Sequence, residues 1–380
     1  MFGASAAVSV ALAAAVAAAS FLLPSPRIRQ RWWLLAAGLA AAALLFLVAR
    51  AFLQERPPRR SSPRGGPAGS VLLLVLLITA SLSVMAAAVT GLVHLKLRSA
   101  ASRLQRETLL TAAAWRVRLT AARLPEMLGP AGSDLTTNVV EETTPDGISL
   151  ITRIADMNRR FDLNNLAAGK IGDGVRRPGE ILADLLTLCG DFAPLPRVEA
   201  LRDWIDDDDE GHYEADFYGK LDPPYRCANT FLRGWRELLA VHGFSRQYFA
   251  PRPAAVPAEP FQADPRKCLC ILPLPRARPV PVNVNTAPEP VLAAVLGLDA
   301  AEAAARIVQA RRLRSYESLE PLRILLGTRK FEAVHPYLDT RSTFFEIHTH
   351  ASRQGRTADV IALVQIRDGD VRCLRWQEGP

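Results

Sequence analysis

No two cysteines in this chain stand at a CxxC spacing. The five present (Cys189, Cys227, Cys268, Cys270 and Cys373) form no zinc-ligand pattern with the six scattered histidines. An odd count leaves at least one thiol over in any disulfide scheme. Cys268 and Cys270, one residue apart, could close only a small strained ring, so spacing sets no connectivity. GxSxG, HExxH and P-loop motifs are missing, as is GxGxxG between a strand and a helix. His212, His242, His335, His348 and His350 have no evident nucleophile beside them. The chain is therefore not expected to be an enzyme. A large basic excess is also missing from most of its length. Although the pI is about 9.6, residues 1–69 hold eight Arg against Glu55, net +7, leaving +1 of the total +8 for residues 70–380. The basic charge flanks apolar segments and does not describe a nucleic-acid surface.

What the chain does have is a 23-residue run, Val71 to Val93, without one ionisable side chain. As a helix it would span ~35 Å, enough to cross a bilayer core. A basic collar containing Arg59, Arg60, Arg64, Gly65, Gly66 and Gly69 precedes it. Helix formers continue from His94 to Glu126, where Leu95, Leu97, Leu104, Leu109, Leu110 and Leu119 are set among Lys96, Arg98, Arg103, Arg106, Arg116, Arg118 and Arg123. Ser70 to Glu126 thus reads as one helix of ~85 Å, ended by Gly129-Pro130 and lying in lipid for its first half. Upstream, residues 1–53 hold two more apolar runs, Ala6 to Leu23 and Trp32 to Val48. These fit a membrane hairpin, a signal peptide or a gene start placed too far upstream.

A leader ending in Gly69, an abrupt apolar run and an amphipathic extension together resemble a type IV pilin or pseudopilin precursor. The resemblance implies that a prepilin peptidase cuts between Gly69 and Ser70 on the cytoplasmic side and that the new N-terminus is methylated. Most such precursors carry Glu four residues after the cut, where this chain has Leu74. The type II secretion system protein K family commonly lacks it. Two later stretches resemble that family: Asp156-Met-Asn-Arg-Arg-Phe-Asp-Leu-Asn-Asn-Leu166, and the series Asp203-Trp-Ile-Asp206, an acidic loop, Pro223-Pro-Tyr-Arg-Cys-Ala-Asn229 and Glu237-Leu238.

Along the rest of the chain, Ser133 to Thr144 reads as a loop before the turn Pro145-Asp-Gly147, and Ile148 to Ile154 as a strand. Asn164 and Asn165 are expected to cap a helix or close a turn. Residues 178–250 read as helical, and the Pro/Ala-rich stretch from Pro251 to Pro281 as a surface excursion. Val282 to Leu322 resembles a helix-hairpin-helix, or SAM-like, unit. Phe344 to Thr349, Asp359 to Arg367 and Asp370 to Trp376 alternate as strands, with turns at Gln354-Gly355 and Asp368-Gly369. The expected fold is α+β, with a long N-terminal transmembrane helix on a small antiparallel pilin-like sheet and a large α-helical insertion. The expected segments are 1–53, of open status; a prepilin-type leader, 54–69; the helix, 70–127; the first part of the sheet, 128–160; the inserted helical domain, 161–338; and the rest of the sheet, 339–380.

Two chemical signals remain. Asp203 to Glu210 holds four consecutive aspartates, with Glu214 and Asp216 close behind. Such a run can be a solvated loop, a carboxylate pair for catalysis or a cradle for a hard cation; calcium accepts six to eight oxygen ligands in loose geometry and suits carboxylates on a flexible loop, although the spacing is not that of an EF-hand. The protein K resemblance implies periplasmic calcium, here through Asp206, Asp208, Glu210 and Asp216. The second signal is the hairpin Gly297-Leu-Asp299, which raises an alternative: a competence-type helix-hairpin-helix membrane protein that grips DNA phosphates. Arg311, Arg312 and Arg314 favour it, whereas Asp299 would set a carboxylate against phosphate. The resemblance implies a minor pseudopilin at the tip of the type II secretion pseudopilus. Its implied partners are minor pseudopilins I and J, the prepilin peptidase and the inner membrane, with no nucleic acid; it would pass once through the membrane and place its C-terminal domain in the periplasm.

Overall fold

The computed structural model describes residues 68–128, 139–168, 172–250, 263–274 and 278–379. The apolar runs of residues 1–53 and the leader up to residue 67 lie outside the described residues. The apolar run and its amphipathic continuation form one helix, α1 (Ala68–Met127), with Gly69 and Ser70 in its first turn. Its apolar window has a mean hydropathy of 2.1 and none of it is buried, so length and composition suffice to cross a membrane. The hydroxyls inside the run turn back on carbonyls one turn earlier, Thr79 on Val75, Ser81 on Leu77, Ser83 on Thr79 and Thr90 on Ala86, at 2.8–2.9 Å. Polar groups satisfied within the helix need no water.

The chain divides into two compact units after Leu104. In the second unit, α1 turns a stripe of Leu109, Leu110, Ala113, Val117 and Leu124 onto a sheet. That sheet has five antiparallel strands in the order β1 (Val139–Thr143), β2 (Ser149–Asp156), β3 (Phe344–Arg353), β4 (Arg356–Arg367) and β5 (Asp370–Gly379). Alternation decides which face is buried: Leu150, Ile154, Phe345, Ile347, Ala351, Val360, Ala362 and Val364 meet the helix. Thr152 and Thr349, also buried, bond each other at 2.9 Å. The two-residue turns Gln354-Gly355 and Asp368-Gly369 have positive φ at both positions, the geometry that matches strand twist. One expectation is corrected here, because Val139–Thr143 is a strand and not part of a loop. Nearly all its side chains are exposed, so no alternation marks it, and backbone pairing with β2 holds it at the edge.

Strands β2 and β3 are neighbours in space, yet residues 157–343 separate them in sequence. This insertion packs α2 (Pro178–Leu188), α3 (Leu195–Ile205), α4 (Glu289–Leu296), α5 (Ala301–Leu313), α6 (Glu320–Leu326) and α7 (Thr328–Val334) around a core of its own. At its neck, the buried Asp156 carboxylate accepts bonds from the Asn158 N–H at 2.8 Å, Ser342 Oγ at 2.7 Å and Thr286 Oγ1. Asn158 Oδ1 accepts the N–H groups of Thr343 and Phe344. The chain entering the insertion is thereby tied to the chain leaving it.

Three further expectations change inside the insertion. Residues 178–250 are helical only at α2, α3 and two four-residue turns, Ala215–Tyr218 and Trp235–Leu238, because the middle of the stretch is shaped by the acidic loop. The stretch expected to be a surface excursion is described from residue 263, and from Cys268 to Leu272 it is buried. There Leu269-Cys270 pairs in parallel with Phe161-Asp162, the apolar Leu-Cys-Ile-Leu run outweighing the flanking prolines. Asn164 and Asn165 cap no helix. Asn164 donates to the Leu232 and Leu272 carbonyls at 2.9 and 2.8 Å and accepts the Leu232 N–H at 2.8 Å; Asn165 exchanges both bonds with Val280. The cap at this turn is Asp162, which accepts the Asn164 N–H.

Candidate cation site

The acidic loop leaves the C-terminal end of α3. Trp204 and Ile205 are held in the core, and Trp204 meets Tyr218 edge-to-face at 5.1 Å. Asp203, one turn inside, is 1% exposed, and its Oδ2 accepts the Tyr213 N–H at 2.9 Å, folding the far end of the loop back on its start. Gly211 passes so close to this carboxylate that a Cβ would run into it. Asp208 accepts the Glu210 N–H at 2.8 Å. From across the loop, Asn229, with φ +43°, donates to the Asp208 carbonyl at 3.0 Å and to Asp209. Glu237 accepts from Trp204 Nε1 and from the Arg233 N–H, so the Asp-Trp-Ile-Asp and Glu-Leu stretches, distant in sequence, brace one another.

These constraints gather Asp206, Asp208 and Glu214, with one carboxylate oxygen of each within 4.8 Å of the others. Several oxygens here accept no hydrogen bond: Asp203 Oδ1, Asp206 Oδ1, both Glu214 oxygens and Asn229 Oδ1. Buried carboxylates without donors are unfavourable in isolation. Burial, followed by repulsion from Asp203, Asp206, Asp209 and Asp208, pushes the Glu214 carboxyl up to about 7. Burial and then Asp208 and Asp203 push Asp206 up to about 6. A set made only of oxygens, with Asp206 Oδ1 and both Glu214 oxygens met by no donor, fits a hard divalent cation.

Of the four residues expected from the sequence, Asp206 and Asp208 are brought together. Glu210 and Asp216 are exposed and lie outside the group, and Glu214 takes the third position. The signal for Glu214 was its setting beside Tyr213 and just before Phe217 and Tyr218, apolar neighbours that draw it inward, whereas Glu210 and Asp216 stay in solvent.

The helix-hairpin-helix unit is α4, Gly297 at φ +95°, and α5. A second hairpin of the same kind joins α6 to α7 through Gly327 at φ +76°. A cleft of about 1010 Å³ lies between the hairpins, and several charges at or near it are engaged within the protein. Lys330 pairs with Asp299 at 2.6 Å, and Arg176 is held by Asp184 and the Ala294 carbonyl. Arg311 donates to the Val284 carbonyl at 2.7 Å, and Arg314 pairs with Glu317.

A helix whose C-terminal part packs on an antiparallel sheet, with a helical domain and an acidic loop inserted between neighbouring strands, defines an α+β protein, and the N-terminal part of that helix is long and apolar enough to cross a membrane. Comparison with known proteins narrows the class. Two family models, both for type II secretion system (T2SS) protein K, match residues 159–252 and 282–329. The chain is 31% identical over 130 residues to the type II secretion system protein K of Aeromonas hydrophila, a match covering 30% of this chain and 39% of that relative. It shares its fold with a chain in the crystal structure of the GspK-GspI-GspJ complex from the enterotoxigenic Escherichia coli type 2 secretion system. That match has a TM-score of 0.59 and 19% identity, and covers 73% of this chain and 98% of that one. Over these two stretches the chain is similar to the type II secretion system protein K family, and it spans about two fifths of the length of the curated relative it matches.

Proposed function

We propose that the protein is a minor pseudopilin that sits at the tip of the type II secretion pseudopilus and starts or caps its assembly, serving export of folded proteins across the outer membrane. The observation that carries this reading is the insertion of residues 157–343 between the neighbouring strands β2 and β3. A shaft subunit must present surfaces that repeat above and below it, and a separately cored domain of this bulk beside the sheet obstructs such stacking. An end position does not require it. Leu74 supports the same placement. An acidic residue there would pair with the N-terminal amine of a neighbouring subunit inside the apolar bundle, and left unpaired it would be costly. A subunit with no neighbour above dispenses with it.

The proposed partners are minor pseudopilins I and J, since a solved structure sharing this fold is that of a GspK-GspI-GspJ complex. Maturation would remove everything before Ser70, leaving one span in the inner membrane, a methylated N-terminus and a periplasmic C-terminal domain. The acidic loop would hold calcium through Asp206, Asp208 and Glu214, with Asp203 and Asn229 close by; the bound ion would neutralise the mutual repulsion of these carboxylates. The role is structural and not catalytic. The competence-type alternative is weakened by Asp299 at the hairpin and by the internal engagement of Arg311 and Arg314, while the third arginine that favours it, Arg312, is exposed. Co-expression of the full chain with the I and J pseudopilins and the peptidase tests the proposal. The expected product is a ternary complex in which the N-terminal sequence of this chain begins at Ser70; isolation of the chain alone with its leader intact contradicts it.

A further inference from the structure

Only two of the five cysteines meet. Cys189 closes the C-terminal end of α2, its N–H on the Leu185 carbonyl at 3.0 Å, and is fully buried. Cys268 ends the short helix Pro265–Cys268 and is 2% exposed. Both belong to the core of the insertion, and the Cys189 thiol hydrogen-bonds to the Cys268 sulfur. Beside them the Ala263 N–H donates to the Leu188 carbonyl at 3.1 Å, fixing the two backbones against each other. The remaining thiols are turned elsewhere. Cys270 lies in a different apolar cluster with Met157 and Phe344, its sulfur 3.6 Å from the Met157 carbonyl. Cys227 donates to the Asp203 carbonyl at 3.3 Å, and Cys373 is exposed on β5.

We propose that Cys189 and Cys268 form a disulfide that locks the end of α2 to the short helix Pro265–Cys268. The occurrence of this bond in the cell rests on the reading that the domain is exported to an oxidising compartment, where such bonds persist. The pairing itself rests on the hydrogen-bonded contact between the two thiols and on the Ala263–Leu188 backbone bond beside them. The hydrogen bond from Cys189, aided by Arg160 and Arg159, holds the Cys268 thiol below its ordinary range despite burial and Asp264. Cys268 can open the exchange before the core closes over it, since both thiols are buried in the folded protein. As a thiolate it attacks one sulfur of a donor disulfide, forming a mixed disulfide and expelling a thiolate. The Cys189 thiolate then attacks the Cys268 sulfur and expels the second donor thiolate. The protein has lost two protons and two electrons to the donor, whose S–S bond is broken. The closed loop holds about eighty residues, within the range where cross-linking restricts the unfolded chain strongly. It contains the whole acidic loop and the stretch from residue 206 to 250, whose regular structure is limited to two four-residue turns. A covalent tie is most useful around such a segment.

The test is alkylation of the full-length protein in denaturant without reductant, followed by peptide mapping, on two preparations. One is isolated from cells that export it; the other is reduced, unfolded and refolded in detergent with a mixture of reduced and oxidised glutathione. The expected result in both is three alkylated cysteines, Cys227, Cys270 and Cys373, and a linked pair of peptides containing Cys189 and Cys268. Reductant should then lower Tm by an amount on the order of 10 °C. A bond present after glutathione refolding but absent from the cellular protein upholds the pairing and overturns the exported placement. Five alkylated cysteines after glutathione refolding, or a link between Cys268 and Cys270, overturn the proposal.

Discussion

The sheet and the insertion solve the burial problem in different ways. Between α1 and the sheet, apolar side chains at helical and alternating spacing meet face to face, and Thr152 and Thr349 are among the few buried polar groups, each the other's partner. The insertion has a larger apolar core, but much of its chain is irregular and its backbone groups find partners through side chains. Asn158, Asn164, Asn165 and Asn285 each bind backbone groups from segments far away in sequence. Where secondary structure supplies hydrogen bonds, packing alone can specify the fold; where it does not, buried amides must do so, and each becomes hard to replace.

The largest effect is therefore expected from Asn164→Ala. It removes the bonds to the Leu232 N–H and carbonyl and one of the bonds to the Leu272 carbonyl, which keeps the Leu274 N–H, and should destabilise the protein by about 3–5 kcal/mol in denaturant unfolding. Ile154→Ala, a cavity under α1 in the sheet core, should remove about 2–4 kcal/mol. A smaller loss from Asn164→Ala than from Ile154→Ala breaks the comparison. Next comes the metal. Calcium at 100 times its dissociation constant would stabilise the full-length protein in detergent by about 2.7 kcal/mol over chelator, a Tm difference on the order of 5–10 °C. Magnesium, which demands tight octahedral geometry, should substitute poorly. Glu214→Gln and Asp206→Asn should abolish the difference, whereas Glu210→Gln and Asp216→Asn should keep it.

A smaller effect concerns pH. The Glu214 and Asp206 carboxyls sit at about 7 and about 6 in the folded protein, above their usual 4.5 and 3.8. The folded state thus binds their protons more tightly than the unfolded one, and the stability they contribute is complete below those usual values. It is lost as pH rises through about 6 and then 7. In chelator, thermal unfolding should show this contribution fading between pH 5 and 8, and Glu214→Gln should flatten the trend. The calcium-induced rise in Tm should instead grow with pH over the same interval, because the ion needs the ionised carboxylates. The smallest effect is expected from Trp115→Ser on the open face of α1, a residue 56% exposed, which should shift stability by no more than about 0.5 kcal/mol.

Legibility in the sequence followed the same division. Helix α1 and strands β2 to β5 were readable because periodicity and Gly-containing turns encode them locally. Strand β1 was not, since an edge strand held by backbone pairing carries no alternation. In the insertion, α2 and α3 showed their apolar spacing, but the partners of Asn164 lie about seventy and a hundred residues away, beyond any local pattern. The candidate cation site was half legible. The acidic run announced Asp206 and Asp208, while the choice of Glu214 over Glu210 and Asp216 depended on which side chain the fold buries.

The central claim, a single subunit at the filament end, is tested most directly by labelling. The protein, tagged within the insertion on an exposed segment and assembled with the other pseudopilins into filaments, can be located by gold-labelled electron microscopy. The account predicts one label per filament, at one end. Labels repeated along the shaft in proportion to its length would contradict it.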